Sequence, residues 1–399
     1  MSWRTVKLQD ICEIQPPKKE AKDILSDDSE VSFMGMNLLG VDKVYAKPNE
    51  VEVLSAVYKA YTYFAENDVL LAKITPCFEN GKLGIAQGLK NGIGFGSSEF
   101  IVFRCKEVLL PKYLYYFLNQ KSFRESGKKN MSGAVGHKRV KKEFIENTLL
   151  FLPPILVQRR IVAKLDALFA EIDKMILLKK RSISNLDKLF LNQLNNFFLN
   201  NSNNWESTTL GAYYDVRDGT HESPKYVPQG IPLVTSKNLK DGKIDLTKIK
   251  YIKNEDYLLI KKRSGVSMGD VLMAMIGTIG NPVIIKNDNH FAIKNVALFK
   301  VKEKQSSNFL KYYLDSAFVK NKMMKDSKGT TQQFVGLGYL RNFPIKVPSF
   351  EQQQGISLKI ISLEKNVDTL KKKYNSILKN YISLKNSLLT ELLNKSKAA

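Results

Sequence analysis

The C-terminal part of the chain carries a regular pattern of apolar positions. From Ile356 to Leu388, apolar side chains recur at alternating intervals of four and three residues. That spacing places them on one face of an α-helix and is typical of a coiled-coil seam. No glycine or proline follows Gly355, so the pattern predicts one long, uninterrupted helix.

A related pattern occurs in the middle of the chain. It starts after Pro153-Pro154, shifts register at Lys179, resumes at Ile183 and ends in an asparagine-rich linker. Each helix could pack on its own globule as ordinary core, but two long helices with narrow apolar stripes favour pairing with each other. The predicted seam consists of Ile161, Leu165, Leu168, Ile172, Leu363, Val367, Leu370, Tyr374, Ile377, Tyr381, Leu384 and Leu388.

The segments before the two helices have a different pattern, in which short β-rich runs alternate with glycine, proline and asparagine breaks. Phe100–Arg104 and Val296–Val301 are predicted strands. An amphipathic helix is predicted after each of them, around Pro111–Asn119 and Asn308–Ala317. We therefore expect two mixed α+β globules.

The chain also repeats itself, and the matching stretches occur in the same order in both halves. They are Trp3–Leu8 with Trp205–Leu210, Asn67–Leu70 with Gly269–Leu272, Pro111–Leu118 with Ser307–Leu314, and Pro153, Gln158 and Ile161 with Pro348, Gln353 and Ile356. We predict four segments: a first globular domain (1–152), a central helix (153–200), a second globular domain (201–347) and a C-terminal helix (348–399).

This order constrains the geometry. If a pseudo-two-fold axis relates the two halves, the helices must run antiparallel and the globules must lie at opposite ends of the helix pair. The stretch Ile356–Leu388 would be roughly 50 Å long at ~1.5 Å per residue. That length corresponds to about 15 base pairs of B-DNA at ~3.4 Å per step.

The charge of the chain indicates a polyanionic partner. Lysine and arginine outnumber aspartate and glutamate by 62 to 39, so the formal net charge is +23, and nucleic acid is the leading candidate. The apolar runs are too short for a membrane-spanning helix, and the N-terminus lacks a secretory signal. Cys12, Cys77 and Cys105 form no CxxC pattern, so neither a disulfide framework nor a zinc site is expected. We expect a cytoplasmic protein without a membrane partner.

Catalytic patterns are weak. An adenine methyltransferase should carry an Asn/Asp-Pro-Pro-aromatic loop, and the chain has Asn281-Pro-Val-Ile instead. Asp10, Glu20 and Lys22 loosely fit a metal-dependent nuclease pattern, but so short a pattern often matches by chance. We predict no catalytic residue and no metal ligand in this chain.

Candidate DNA contacts are polar residues in predicted loops. Lysine and arginine suit phosphates, and glutamine can bond adenine through both amide atoms. The candidates in the first domain are Lys18, Lys19, Lys82, Lys128, Lys129, His137, Lys138 and Arg139. Those in the second domain are Arg217, Thr220, His221, Lys225, Lys237, Asn238, Lys328, Gln332 and Gln333.

The repeat resembles a known family. Leu152–Leu168, with its Pro-Pro entry and Gln158, resembles the start of the central conserved helix of type I restriction–modification specificity subunits, and Phe343–Gln354 resembles its C-terminal counterpart. Asp218-Gly-Thr-His-Glu-Ser-Pro224 is also similar to the family. The two halves diverge at two places. Lys73–Pro76 stands where Met275–Thr278 stands, and Ser132–Gly136 stands where Gly329–Gln333 stands.

The resemblance implies an α+β protein with two target recognition domains in a pseudo-two-fold arrangement, separated by a pair of long antiparallel coiled-coil helices. It implies a non-catalytic subunit that recognises a bipartite, asymmetric sequence in double-stranded DNA with a fixed spacer. Two methyltransferase subunits and ATP-dependent restriction subunits would be its partners. S-adenosylmethionine, ATP and magnesium would then belong to those partners, and this chain would hold no cofactor. The alternatives are a stand-alone DNA-binding protein that dimerises through the coiled coil, and a self-contained nuclease.

Overall fold

The computed structural model describes residues 3–134, 136–200, 204–287, 290–329 and 333–394. The chain divides into two compact units. The first unit contains the residues up to Lys179 together with those from Ser376 onward, and the second contains Lys180–Asn375. Each unit therefore combines one globule with part of each long helix, whereas the segments predicted from the sequence separated globules from helices.

The globule of the first unit is built from short strands. They are β1 (Arg4–Lys7), β2 (Cys12–Ile14), β3 (Glu30–Met34), β4 (Tyr45–Ala46), β5 (Glu50–Val53), β6 (Thr62–Ala65), β7 (Val69–Ala72), β8 (Leu83–Ala86), β9 (Ile93–Gly96), β10 (Phe100–Cys105), β11 (Met131–Ser132), β12 (Arg139–Val140) and β13 (Leu149–Leu152). Its helices are α1 (Leu8–Ile11), α2 (Lys19–Ile24), α3 (Leu54–Val57), α4 (Pro111–Leu118), α5 (Lys121–Lys129) and α6 (Lys142–Asn147), and α7 (Ile155–Leu199) begins in this unit.

Two sheets form the centre of this globule. One has the order β2-β10-β7-β8-β4 and the other the order β5-β3-β9-β6, while β1 pairs with β13. Every residue of β7 and β8 is buried, as expected for strands covered on both faces. The aromatic helix α4 contributes buried tyrosines to the core.

The globule of the second unit contains β14 (Glu206–Thr209), β15 (Asp215–Asp218), β16 (Ile231–Thr235), β17 (Leu239–Lys240), β18 (Lys243–Ile244), β19 (Lys250–Ile252), β20 (Val271–Ala274), β21 (Gly280–Ile284), β22 (Ala292–Lys294), β23 (Val296–Lys300) and β24 (Pro344–Val347). Its helices are α8 (Leu210–Tyr213), α9 (Asn254–Ser264), α10 (Ser307–Asp315), α11 (Ala317–Asp326), α12 (Leu337–Arg341) and the long α13 (Phe350–Leu393), which ends in the first unit.

The strand order confirms the predicted repeat. The sheet β15-β23-β20-β21 repeats β2-β10-β7-β8, the sheet β19-β16-β22 repeats β5-β3-β9, and the pair β14-β24 repeats β1-β13. The two predicted strands are β10 and β23, which hold the same place in their sheets, and the two predicted short helices are α4 and α10.

The two long helices run antiparallel within the first unit. Lys385 of α13 forms an ion pair with Asp173 of α7 at 2.5 Å. Ile161 and Leu165, nearer the start of α7, share a core with Leu389, nearer the end of α13.

The same direction holds within the second unit. Lys371 of α13 forms an ion pair with Asp187 of α7. Leu194 and Phe198, further along α7, share a core with Ile360, which lies earlier in α13. The predicted antiparallel pairing of the helices is therefore confirmed inside each unit.

The predicted seam is wrong at Leu370 and Leu384, whose side chains are 39% and 45% exposed. One residue later in each case, Lys371 and Lys385 lie against α7 with largely covered side chains. A straight helix turns about 20° less than two full turns per heptad, so the buried positions drift to later residues. The apolar stems of the lysines cover the groove while their ammonium groups reach the aspartates of α7.

Among the helices of the described residues, none is both long enough and apolar enough to span a membrane.

Candidate nucleic-acid interface

A buried glutamine fixes the first globule to the start of α7. Gln158 is fully buried. Its carbonyl oxygen accepts a hydrogen bond from the backbone N–H of Leu110 at 2.9 Å. Its amide nitrogen donates to the carbonyl oxygens of Val108 and Pro153, both at 2.8 Å. The oxygen and both N–H groups of this amide therefore have partners inside the protein, as burial requires.

Gln353 has the same position at the start of α13 and is also fully buried. Its carbonyl oxygen accepts from the backbone N–H of Ser306 at 3.1 Å. Its amide nitrogen donates to the Tyr213 hydroxyl at 2.9 Å and to the carbonyl oxygen of Pro348 at 3.0 Å. The repeated Pro/Gln stretch of the sequence is therefore a repeated attachment of globule to helix.

A buried ion pair between neighbouring strands is the second feature that both units share. Asp68, before β7, is 2% exposed and bonds Arg104 of β10 at 2.8 Å. Burial raises the pKa of Asp68, and the bonds from Arg104 and from the backbone oppose that rise. Asp270, before β20, is equally buried and bonds Lys300 of β23 at 2.6 Å. In both units, the ion pair therefore links the residue before one strand to the neighbouring strand of the same sheet.

On this repeated scaffold, the divergent segments of the first half lie side by side. The backbone N–H of Thr75 donates to the carbonyl oxygen of Lys138 at 2.9 Å, and that of Val140 donates to the carbonyl oxygen of Lys73 at 2.9 Å. We call residues 73–80 and 131–140 the first paired loops; residue 135 lies outside the described residues.

The divergent segments of the second half make the same kind of contact. The backbone N–H of Gly277 donates to the carbonyl oxygen of Gln333 at 2.9 Å, and that of Val335 donates to the carbonyl oxygen of Met275 at 3.0 Å. We call residues 275–279 and 327–335 the second paired loops, of which residues 330–332 lie outside the described residues. The structure thus brings together, in each unit, the two segments at which the sequence analysis found the repeats to diverge.

The first paired loops and the adjoining end of α5 are cationic. Lys128, Lys129, His137 and Lys138 are exposed there. Arg139 is different because Glu99 accepts hydrogen bonds from its guanidinium at 2.6 to 3.1 Å. This pair lowers the pKa of the Glu99 carboxyl, so the charge of Arg139 is largely balanced.

The second paired loops have a different surface. Lys328 and Gln333 are exposed, and Phe334 is an exposed aromatic side chain beside them. The other candidate glutamine, Gln332, lies outside the described residues. The two sets of loops therefore share a scaffold and differ in chemistry.

Several other candidates from the sequence have structural partners. Lys18 donates to the carbonyl oxygens of Tyr58 and Lys59 at 3.0 and 3.2 Å, and Lys82 donates to that of Met36 at 2.7 Å. Both lysines therefore fix loops of the first globule. Lys19 is exposed.

In the second unit, the prediction for Asn238 is corrected. Its side chain is buried, accepts hydrogen bonds from Thr235 and donates to the carbonyl oxygen of Asp245 at 2.9 Å. This amide closes a turn and is unavailable to a base. Arg217 is bound by the carboxylate of Asp215 at 2.6 to 3.1 Å. Two further candidates are exposed, Lys225 and Lys237.

The nuclease pattern does not form a site. Glu20 accepts hydrogen bonds from Tyr63 at 3.1 Å and from Arg104, so its carboxylate is engaged by other side chains of the globule. It lies in the short helix α2. Over the described ranges, no group of three or more His, Cys, Asp or Glu side chains could hold a metal ion.

Thr220 and His221 line a cleft of about 450 Å³ in the second unit. Arg263 of α9 also lines it, although this residue is not among the candidates predicted from the sequence. It follows two lysines in an exposed stretch of helix, so no local pattern distinguishes it from solvated surface.

Comparison with known proteins gives the family. The family model of the type I restriction modification DNA specificity domain matches residues 1–180 and 223–379. The EcoAI specificity subunit of Escherichia coli is 37% identical over 186 residues, which are 46% of this chain and 30% of that protein. This chain therefore matches less than a third of the length of that relative. The MjaVIII specificity subunit of Methanocaldococcus jannaschii is 27% identical over 346 residues, 82% of this chain and 79% of that protein.

Two solved structures share the fold. One, described as the structural basis of complex assembly and conformational transition of the type I R-M system, has a TM-score of 0.78 at 19% identity and covers 99% of this chain and 98% of its own. The HsdS subunit from Thermoanaerobacter tengcongensis has a TM-score of 0.60 at 18% identity and covers 99% of this chain and 97% of its own. With both halves matched by the family model, this chain belongs to the family of type I restriction–modification DNA specificity domains.

Proposed function

We propose that this chain provides the DNA sequence specificity of a type I restriction–modification enzyme. Each globule contacts one half of a bipartite, asymmetric target through its paired loops. The observation that carries the proposal is that two copies of one scaffold present loops of different chemistry at equivalent places. Such a protein would bind two different half-sites in a single orientation.

The electrostatics support a nucleic-acid ligand. The net charge is +23, and the first paired loops adjoin exposed lysines that have room to contact phosphates. Phosphate contacts provide affinity and register, and contacts to base edges provide specificity. The lysines and the glutamine of the two loop sets supply both kinds of group.

The same proposal assigns the chemical steps to other subunits. This chain would bind two methyltransferase subunits and, with them, ATP-dependent restriction subunits. S-adenosylmethionine, ATP and magnesium would bind to those partners. Support comes from the family membership and from a carboxylate, Glu20, that is committed to Arg104 and Tyr63. A stand-alone dimer is less well supported, because the long helices already pair within each unit of one chain.

Selection from random duplex DNA tests the function. The purified full-length chain should enrich two different half-sites separated by a gap of constant length. Enrichment of a single short site, a symmetric site or no site at all would contradict the proposal.

Salt dependence tests the role of the first paired loops. Replacing Lys128, Lys129 and Lys138 with alanine should lower the slope of log affinity against log salt concentration by up to about three, since each phosphate contact contributes about 0.9. Fluorescence anisotropy with the selected duplex measures this slope.

The matched control is a triple alanine variant at Lys365, Lys372 and Lys373, which are exposed along α13. Its slope should equal that of the unaltered chain. Equal slopes for the loop variant and the control variant would show that these loops do not contact phosphates.

A further inference from the structure

The cleft in the second unit is lined by polar side chains that neighbouring residues hold in place. It lies between the turn that follows β15 and the helix α9, and its volume is about 450 Å³. The polar lining includes Thr220, His221, Glu222, Asp256 and Arg263.

A single buried carboxylate orients two donors in this cleft. Asp218 is 2% exposed. One of its oxygens lies 2.8 Å from Nε2 of His221, and the other accepts a hydrogen bond from Arg263. The side chains of His221 and Arg263 are otherwise 60% and 56% exposed. Asp218 therefore holds both side chains in place while more than half of each stays exposed.

The backbone next to Asp218 is fixed as well. A Cβ atom on Gly219 would lie 2.3 Å from the carbonyl oxygen of Ile293, so only glycine allows this close approach. Thr220 then exchanges backbone hydrogen bonds with Ile293 and Asn295. Nδ1 of His221 lies 3.1 Å from Oδ1 of Asn295, so the imidazole is held from both sides.

Arg263 keeps donors for a ligand. It bonds Asp218 through one terminal nitrogen, Nη2. Within the part of the chain that the structure describes, no hydrogen bond engages its Nε or Nη1. A carboxylate-supported guanidinium is held in a fixed plane, and the second N–H of Nη2 together with a neighbouring free nitrogen can donate to a ligand with two adjacent acceptors.

The charges of the cleft select a base over a phosphate. Glu222 and Asp256 line the same space and would repel a phosphate group. In the major groove, a G·C pair offers two acceptors on guanine beside an amino donor on cytosine. Arginine matches the guanine edge, and a carboxylate accepts from the cytosine amino group.

We propose that this cleft recognises one G·C pair of the half-site bound by the second unit, with Arg263 on the guanine and Asp218 as the positioning residue behind it. This inference rests on the proposed function and adds a contact separate from the second paired loops. An A·T pair is disfavoured because its adenine presents an amino donor where guanine presents an acceptor.

Selection from random duplex DNA with full-length variants tests this assignment. The unaltered chain should enrich an invariant G·C pair at one position of one half-site. Arg263→Ala and Arg263→Lys should both lose that preference, and the affinity for the preferred duplex should fall about 10-fold or more. The lysine variant matters because it keeps the charge and loses the planar fork.

Two further variants complete the test. Lys262→Ala removes an exposed charge from the adjacent residue of α9 and should leave every position of the site unchanged. Asp218→Asn should weaken the preference at the same position as the Arg263 variants while the other half-site and the gap stay constant, an effect that general destabilisation would not produce.

The outcomes separate this inference from the function on which it rests. If the unaltered chain enriches no bipartite site, the proposed function fails. If it does, and the Arg263 variants retain the G·C preference, the inference is overturned. It is equally overturned if these variants bind all sequences more weakly by the same factor, because Arg263 would then contact a phosphate.

Discussion

Removing seven residues from each long helix, in register, should shorten the gap between the two half-sites and leave both half-site sequences unchanged. Seven residues correspond to about 10 Å of helix, or about three base-pair steps. Each base-pair step also rotates one half-site relative to the other around the DNA axis, because the DNA completes a turn in about 10 base pairs. The gap is therefore expected to shorten by between about one and three base pairs.

The ion pairs of the helices define the deletion. Asp173 pairs with Lys385 in the first unit, and Asp187 pairs with Lys371 in the second. Deleting residues 177–183 from α7 and 375–381 from α13 lies between these pairs and preserves both. A heptad is close to two full turns, so the remaining apolar stripe keeps its direction within about 20°.

The two single deletions are the controls. Each single deletion shifts one helix by seven residues relative to the other, so the two ion pairs cannot both form. We therefore expect both single deletions to impair folding or DNA binding. In the matched deletion, an unchanged gap, or a gap change accompanied by altered half-sites, would mean that the helices do not set the spacing.

Replacing Asp270 with alanine should lower the free energy of unfolding of the second unit by about 3–5 kcal/mol. The carboxylate is 2% exposed and bonds Lys300, whose side chain is 21% exposed. It also accepts a hydrogen bond from the backbone N–H of Ser267 at 2.7 Å. Removing one partner of a buried ion pair leaves the other charge uncompensated, and this is the source of the large effect.

Urea unfolding followed by tryptophan fluorescence measures this change. Trp205 packs against the core of the second unit and Trp3 against that of the first, so a Trp3→Phe background isolates the signal. The double variant Asp270→Ala/Lys300→Met should recover much of the lost stability, because replacing both charges with apolar groups costs far less. A double variant as unstable as the single one would show that the ion pair is not the cause.

The framework of the fold follows from local patterns in the sequence. The stripe from Ile356 to Leu388 predicts a long helix because a helical period is visible in any window of the chain. The repeat predicts that β10 and β23 have equivalent places because matching stretches fold alike. The exact seam was harder to predict, because the drift that exposes Leu384 and covers Lys385 accumulates over several turns.

The contacts of individual polar side chains were not predictable from these patterns. Lys82 and Asn238 are residue types that often contact DNA. Folding, however, brings their partners, Met36 and Asp245, next to them. No sequence pattern indicated Arg263 as a candidate DNA contact, because its partner Asp218 is distant in sequence. The paired loops are an intermediate case, since their divergence was visible in the sequence and their contact with each other was not.

Duplicating the first globule tests the central claim, that each globule recognises its own half-site. In this chimera, residues 3–168 replace residues 205–363, so that Gln158 and Asp166, which attach the first globule to its helix, move with it. Under the pseudo-two-fold arrangement predicted from the sequence repeat, selection from random duplex DNA should enrich the half-site of the first globule twice, in inverted orientation. Enrichment of the original asymmetric target, or of one half-site alone, would contradict the account.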